Sequence, residues 1–213
     1  IFEKLLGIQQ QLLRNAPAIA APHFQGTVKY VVEVFEAKQQ AACLEYFSTA
    51  VEALGASNVD GFRDLLSHVA TSTFALFQNR SPDLVPALTL AFSEMIRRYL
   101  LFCPLALVVC PQFPAIVSCA IEALDACKGE REASRAILNF FTQLYGWRAL
   151  PVSCSLVNSA HALDEELMKH GARLTTYCVH TLLGGSQALW PACTDCIYAV
   201  VSATISWPIP EDP

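Results

Sequence analysis

Apolar residues in this chain return every three or four positions, and no stretch alternates strictly. Phe24, Val28, Val31, Val32 and Phe35 form one stripe, Leu44, Phe47, Val51 and Leu54 the next, and Phe62, Leu65, Leu66, Val69, Leu76 and Phe77 a third. Leu84, Leu88, Ala91, Met95 and Tyr99 follow, then Phe113, Ile116, Val117, Ala120, Ile121 and Leu124. Ile137, Phe140, Phe141 and Leu144, then Leu167, Leu174, Cys178 and Leu182, then Leu189, Cys193, Cys196, Ile197, Val200 and Val201 complete the series. Side chains at that spacing share one face of a helix, whereas a strand would put alternate residues on one face. Pro82, Pro104 and Pro111 separate stripes, and Gly55, Gly146 and Gly184-Gly185 end them, which is helix start and stop chemistry. The chain reads as all-α.

The stripes group in pairs whose first members open near Pro22, Asp60, Pro111 and Asp164, a repeat of roughly 40–50 residues, the range of HEAT and armadillo units. Several helices are apolar on more than one side, as where Tyr99-Leu100-Leu101-Phe102 follows Met95-Ile96. A helix needs this when it touches both its partner and the neighbouring pairs. The expected architecture is an α-α superhelix of about four antiparallel helix pairs, one HEAT-like array over residues 1–213. Short extra helices are expected near Leu105–Val109 and Ser155–Ser159, and a frayed or irregular tail over 205–213, where Trp207-Pro208-Ile209-Pro210 cannot continue a helix. A compact helical bundle would give similar stripes and is the alternative.

With 54% hydrophobic and 15% charged residues the chain is too apolar for intrinsic disorder. A net charge of −5 supplies no basic face, so no direct nucleic-acid partner is expected. The most continuous apolar run, Tyr99 to Cys110, falls short of the roughly 20 residues of a membrane span and is broken by Pro104, so no membrane partner is expected. The chain opens without Met inside a helical run from Ile1 to Leu13, and is expected to be a C-terminal piece of something longer. Nine scattered cysteines, Cys43, Cys103, Cys110, Cys119, Cys127, Cys154, Cys178, Cys193 and Cys196, fit buried free thiols in a reducing compartment better than an evenly paired disulfide framework.

Motifs for phosphate loops, dinucleotide binding, zinc proteases and serine hydrolases are missing from the sequence, so no enzyme and no cofactor is expected. Asp164-Glu165-Glu166 reads as an N-cap with first-turn acids facing the helix dipole rather than a Mg²⁺ site. Asp60 is placed to cap its helix. Cys193-Thr194-Asp195-Cys196 lacks the second cysteine pair that a zinc ribbon requires and lies on an apolar stripe, so core packing is expected. Glu166 and His170, four residues apart, read as an exposed charge pair, and Trp147 and Trp190 as packing residues. The informative polar positions fall on the second helix of each pair. They are Glu45, Thr49 and Glu52; Asp83, Glu94, Arg97 and Arg98; and Glu132, Arg135, Asn139 and Gln143.

The stretch from Phe62 to Tyr145, above all Ser72-Thr73-Phe74-Ala75-Leu76-Phe77-Gln78 and Ala136-Ile137-Leu138-Asn139-Phe140-Phe141-Thr142-Gln143-Leu144, resembles the C-terminal half of importin-β-type karyopherins, in the branch of importin-thirteen and transportin-SR. Ile1-Phe2-Glu3-Lys4 and the segment from Glu165 through Leu183-Gly184-Gly185 to Ala199 fall in register with the same region. The resemblance implies a nuclear transport receptor, shuttling between cytoplasm and nucleus, with nucleoporins among its partners. It implies cargo proteins held on a concave surface lined by second helices. It further implies regulation by the GTPase Ran through N-terminal repeats expected upstream of Ile1. The cargo-facing candidates are then Glu45, Glu52, Glu94, Arg97, Arg98, Glu132, Arg135, Asn139 and Gln143, with Arg97 and Arg98 expected to meet acidic partner surfaces. The arginine-rich cargo helix of the transportin-SR type aligns near Ile1–Leu13, where Lys4 and Arg14 lie only at the edges, which favours the importin-thirteen type. A HEAT-type scaffold unrelated to transport and an all-α bundle enzyme are the rival readings.

Overall fold

The computed structural model describes residues 2–79, 86–127, 130–148 and 157–205. Among them every regular element is helical: α1 (Phe2–Asn15), α2 (Pro17–Ala20), α3 (Phe24–Lys38), α4 (Ala41–Leu54), α5 (Val59–Asn79), α6 (Pro86–Phe102), α7 (Pro104–Val108), α8 (Phe113–Ala126), α9 (Arg131–Arg148), α10 (Val157–Gly184) and α11 (Trp190–Ile205). The all-α class read from the stripes is observed, and α7 is the short helix expected near Leu105–Val109. Packing divides the chain into two compact units, Ile1–Ala136 and Ile137–Pro213.

In the first unit each long helix packs on the one two places along the chain. Phe24 meets Phe62 at 5.3 Å and Glu36 meets His68 at 2.8 Å, so α3 and α5 lie side by side and run the same way. Glu52 meets Arg98, and Gly55 meets Cys103, so α4 and α6 do the same. Within a pair the direction reverses: Phe62 packs on Tyr99 and Phe74 on Phe92, joining the start of α5 to the end of α6 and the end of α5 to the start of α6. One layer is α1, α4 and α6, and the other is α3, α5 and α8, with Gln112 at the head of α8 bonded to Ser67 and Thr71 of α5. This is the stacking of an α-α superhelix, because a compact bundle would not order its layers by alternate helices. The core lies between the layers, where Phe35, Phe47, Phe62, Leu66, Met95, Tyr99 and Ile116 are buried.

Local chemistry explains the helix ends. Asn58, not Asp60, caps α5, its Oδ1 accepting the Gly61 N–H at 3.2 Å, while Asp60 and Asp64 pair with Arg63. The α3–α4 turn is made by Gln39 in the left-handed region at φ 54°, with its N–H donated to the Phe35 carbonyl. Gly55 ends α4 for another reason. A Cβ there would lie 3.0 Å from the Cys103 Cβ, and the Cys103 thiol donates to the Gly55 carbonyl at 3.3 Å. Of the helix expected from Pro82, the structure describes Pro86–Phe102 as α6; residues 82–85, Asp83 among them, lie outside the described residues.

The second unit is built from α9 beyond Ala136, α10 and α11. The Tyr145 hydroxyl donates to the Leu167 carbonyl at 2.7 Å, and Arg148 is ion-paired with Asp164, so α9 and α10 run antiparallel. Cys178 of α10 packs against Cys193 and Cys196 of α11, and all three thiols are buried, as core packing requires. Hydrogen bonding to Cys193 pulls the Cys178 thiol down, while hydrogen bonding to Cys196 and burial push it up, and the balance leaves it raised to about 12. Asp164-Glu165-Glu166 does not open a helix. α10 is 28 residues long and begins at Val157, so the acids lie in its third turn, and Asp164 serves Arg148 instead of a helix terminus. Of the short helix expected near Ser155–Ser159, residues 157–159 belong to α10, and 155–156 lie outside the described residues. Cys154, His161 and the tail from residue 206 also lie outside them, in part or in whole.

Glu166 and His170 are not an exposed pair. His170 is 8% exposed and its Nε2 lies 3.3 Å from Glu166 Oε2. Burial lowers the His170 pKa below its ordinary 6.5, outweighing the upward pull of Glu166, while Lys169 and Arg173 add to the lowering. The unfolded chain then takes up a proton near pH 6.5 that the folded chain still refuses, so this contribution to stability is complete above 6.5 and is lost as pH falls toward the folded value. Thermal melts at neutral pH and below pH 6 should show His170→Gln losing less stability on acidification than the parent chain.

Candidate binding face

The layer of α1, α4 and α6 carries the polar positions that the core does not claim. α4 buries Cys43, Leu44, Tyr46, Phe47, Ala50 and Val51, which turns Glu45 and Glu52 outward. α6 buries Leu88, Phe92, Met95, Ile96, Tyr99 and Leu100 and leaves Glu94, Arg97 and Arg98 half-exposed. Gln10 and Arg14 of α1, Glu45, Ser48, Thr49 and Glu52 of α4, and Ala91, Glu94 and Arg98 of α6 line one recess of 260 Å³.

Every guanidinium of this face already has a partner. Arg98 Nη1 lies 2.5 Å from Glu52 Oε2, with its guanidinium 5.9 Å from the centre of the Phe102 ring. Arg97 donates twice to Glu94 Oε2, at 3.0 and 2.7 Å. Arg14 Nη2 donates to Thr49 Oγ1 at 3.4 Å, and that hydroxyl donates to the Glu45 carbonyl at 3.1 Å. Glu45 has no ion-pair partner among the described residues. Three carboxylates and three guanidiniums therefore share the face; Glu94, Arg97 and Arg98 are turned away from the buried stripe of α6 as expected, and each arginine is already paired within a charge-balanced surface. Such part-exposed pairs are each worth about 0–1 kcal/mol, so a partner can exchange them for its own at small cost.

Of the sequence candidates, Glu45, Glu52, Glu94 and Arg98 come together in the recess, and Arg97 is tied to it through Glu94. Glu132, Arg135, Asn139 and Gln143 lie on α9 and do not line it. Glu132 and Arg135 pair with each other at 3.3 Å. Gln143 turns its Oε1 inward, where it is buried without a hydrogen-bond partner. Sequence reasoning missed Gln10 and Arg14, although their spacing of four puts both on one face of α1.

Two further recesses lie in the opposite layer. One, of 470 Å³ between α3 and α5, is lined by Glu36, Asp64, Ser67, His68, Thr71 and Ser72. The other, of 410 Å³ between α5 and α8, is apolar, with Phe74, Phe77, Ala115, Cys119 and Ala126. Burial, helped by the Glu122 charge, pushes the Cys119 thiol up to about 12, so it is a protonated thiol and a poor nucleophile. Among the described residues no group of three His, Cys, Asp or Glu side chains is placed to hold a metal ion. No family model, curated protein or solved structure matches this chain.

Proposed function

We propose that this chain is part of a nuclear transport receptor and binds cargo proteins on the α1/α4/α6 face. The supporting observation is the recess in which three same-layer helices present interlocked charges around an open floor. A broad polar surface built on stacked helices suits recognition of a protein partner and offers no reacting group. The resemblance of residues 62–145 to karyopherins supplies the rest: Ran acting through upstream repeats, nucleoporins as further partners, and passage between cytoplasm and nucleus. Because the face is balanced in charge, cargo surfaces that carry both signs fit it better than uniformly acidic ones.

The test is competition. In permeabilised cells, excess chain should sequester cargo and slow protein import. Arg98→Glu with Glu45→Lys, which rearranges the charges without altering the core, should remove most of the inhibition. Unchanged import at saturating chain would sink the transport reading. Proteins captured on the same face but indifferent to Ran would favour a HEAT-type scaffold instead.

A further inference from the structure

α11 is apolar on two opposite sides, and only one of them is covered. Cys193, Cys196, Val200 and Ala203 are buried within the second unit. Trp190, Tyr198, Val201 and Ile205 are 41, 75, 47 and 79% exposed in the whole chain. At 100° per residue these four and Thr194 fall within about 80° of one another, a stripe running the full length of the helix. Asp195 is the one charged residue among the sixteen of α11, and it stands to the side of that stripe.

From this stripe we infer that α11 docks against α11 of a second copy, antiparallel, about a two-fold axis. The stripe is self-complementary. With the axis between Ile197 and Tyr198, Trp190 faces Ile205 of the second copy, Thr194 faces Val201, and Ile197 faces Tyr198. Large side chains then oppose smaller ones along the contact, and no like charges meet within it. The exposed stripe amounts to on the order of 500 Å² per copy, so pairing buries about 1,000 Å² in total, the size at which specific interfaces begin. An interface at that lower limit fits a reversible dimer rather than a permanent one. Lipid is the less suitable cover. Gln187–Ile205 is apolar and long enough to cross a membrane by composition, but the stripe has no Lys or Arg for lipid headgroups, and spanning would strip the helix from its buried contacts.

The experiment is sedimentation of the 213-residue chain over a concentration series, with thermal melts as a folding control. The expected result is a monomer–dimer equilibrium that Tyr198→Glu/Ile205→Glu weakens at least tenfold without altering the melt. Val201→Ser serves as a milder variant if the double change disturbs folding, and should weaken the dimer several-fold. Trp190→Glu and Ile205→Lys should each weaken self-association, and mixing the two should restore a heterodimer, because the antiparallel register sets position 190 against 205. A chain that stays monomeric to about 500 µM overturns the inference. So does a dimer indifferent to all of these variants, or one that parts on addition of phosphatidylcholine vesicles because α11 transfers to lipid.

Discussion

Tyr99→Ala should cost the first unit about 4 kcal/mol, enough to unfold much of a marginally stable domain at 37 °C. Tyr99 is fully buried where the end of α6 meets the start of α5. Its ring packs edge-on to Phe62 at 6.1 Å, and its hydroxyl donates to the Phe62 carbonyl at 3.1 Å. Burial holds its pKa well above 10, so the hydroxyl keeps its proton and remains a donor. Removing the side chain opens a cavity of aromatic size and deprives a carbonyl of its partner. Tyr99→Phe separates the two effects. It keeps the ring and should cost about 1–2 kcal/mol, the net worth of the hydrogen bond and the stranded acceptor. Chemical denaturation followed by fluorescence would measure both, and equal losses for Ala and Phe would show that packing at this site contributes little.

Gly171→Leu should destabilise the second unit by about 3 kcal/mol. Gly171 lies in mid-helix, where glycine costs about 1 kcal/mol relative to alanine. Close approach explains its presence. A Cβ there would lie 3.3 Å from the Tyr145 hydroxyl and 3.7 Å from Val200 Cγ1, at the meeting of α9, α10 and α11. Gly171→Ala gains helix propensity and presses the Tyr145 hydroxyl away from the Leu167 carbonyl, so the two effects nearly cancel. Leucine has no room, and must displace Tyr145 or Val200. A leucine variant as stable as the parent would mean that the three helices meet more loosely than these distances allow.

The helices themselves were legible because burial imposes a periodicity that survives without any knowledge of partners. The stripes Phe24–Phe35, Leu44–Leu54 and Phe113–Leu124 name the inward faces of α3, α4 and α8. Features that depend on a distant partner were not legible. Asp164 looks like a helix start because acids favour that position, but Arg148 holds it within a longer helix. Trp190 reads as core from its size, yet it stands exposed at the head of α11. Asp60 and Asn58 are both good caps, and only backbone geometry chooses between them. On the α1/α4/α6 face, sequence showed which side chains escape the core, but not that Glu52 and Glu94 had already engaged Arg98 and Arg97.

The alternate-helix stacking of the first unit limits how far any disturbance can travel. Seven side-chain hydrogen bonds that tie its helices together join residues 32 to 48 positions apart. These bonds thus tie each layer together through near neighbours along the chain. Loop-closure entropy is correspondingly small at every step, so order can start at any pair and spread outward. Loss of one pair need not be felt beyond the next. A stack built this way can loosen at one pair while the helices on either side keep their packing.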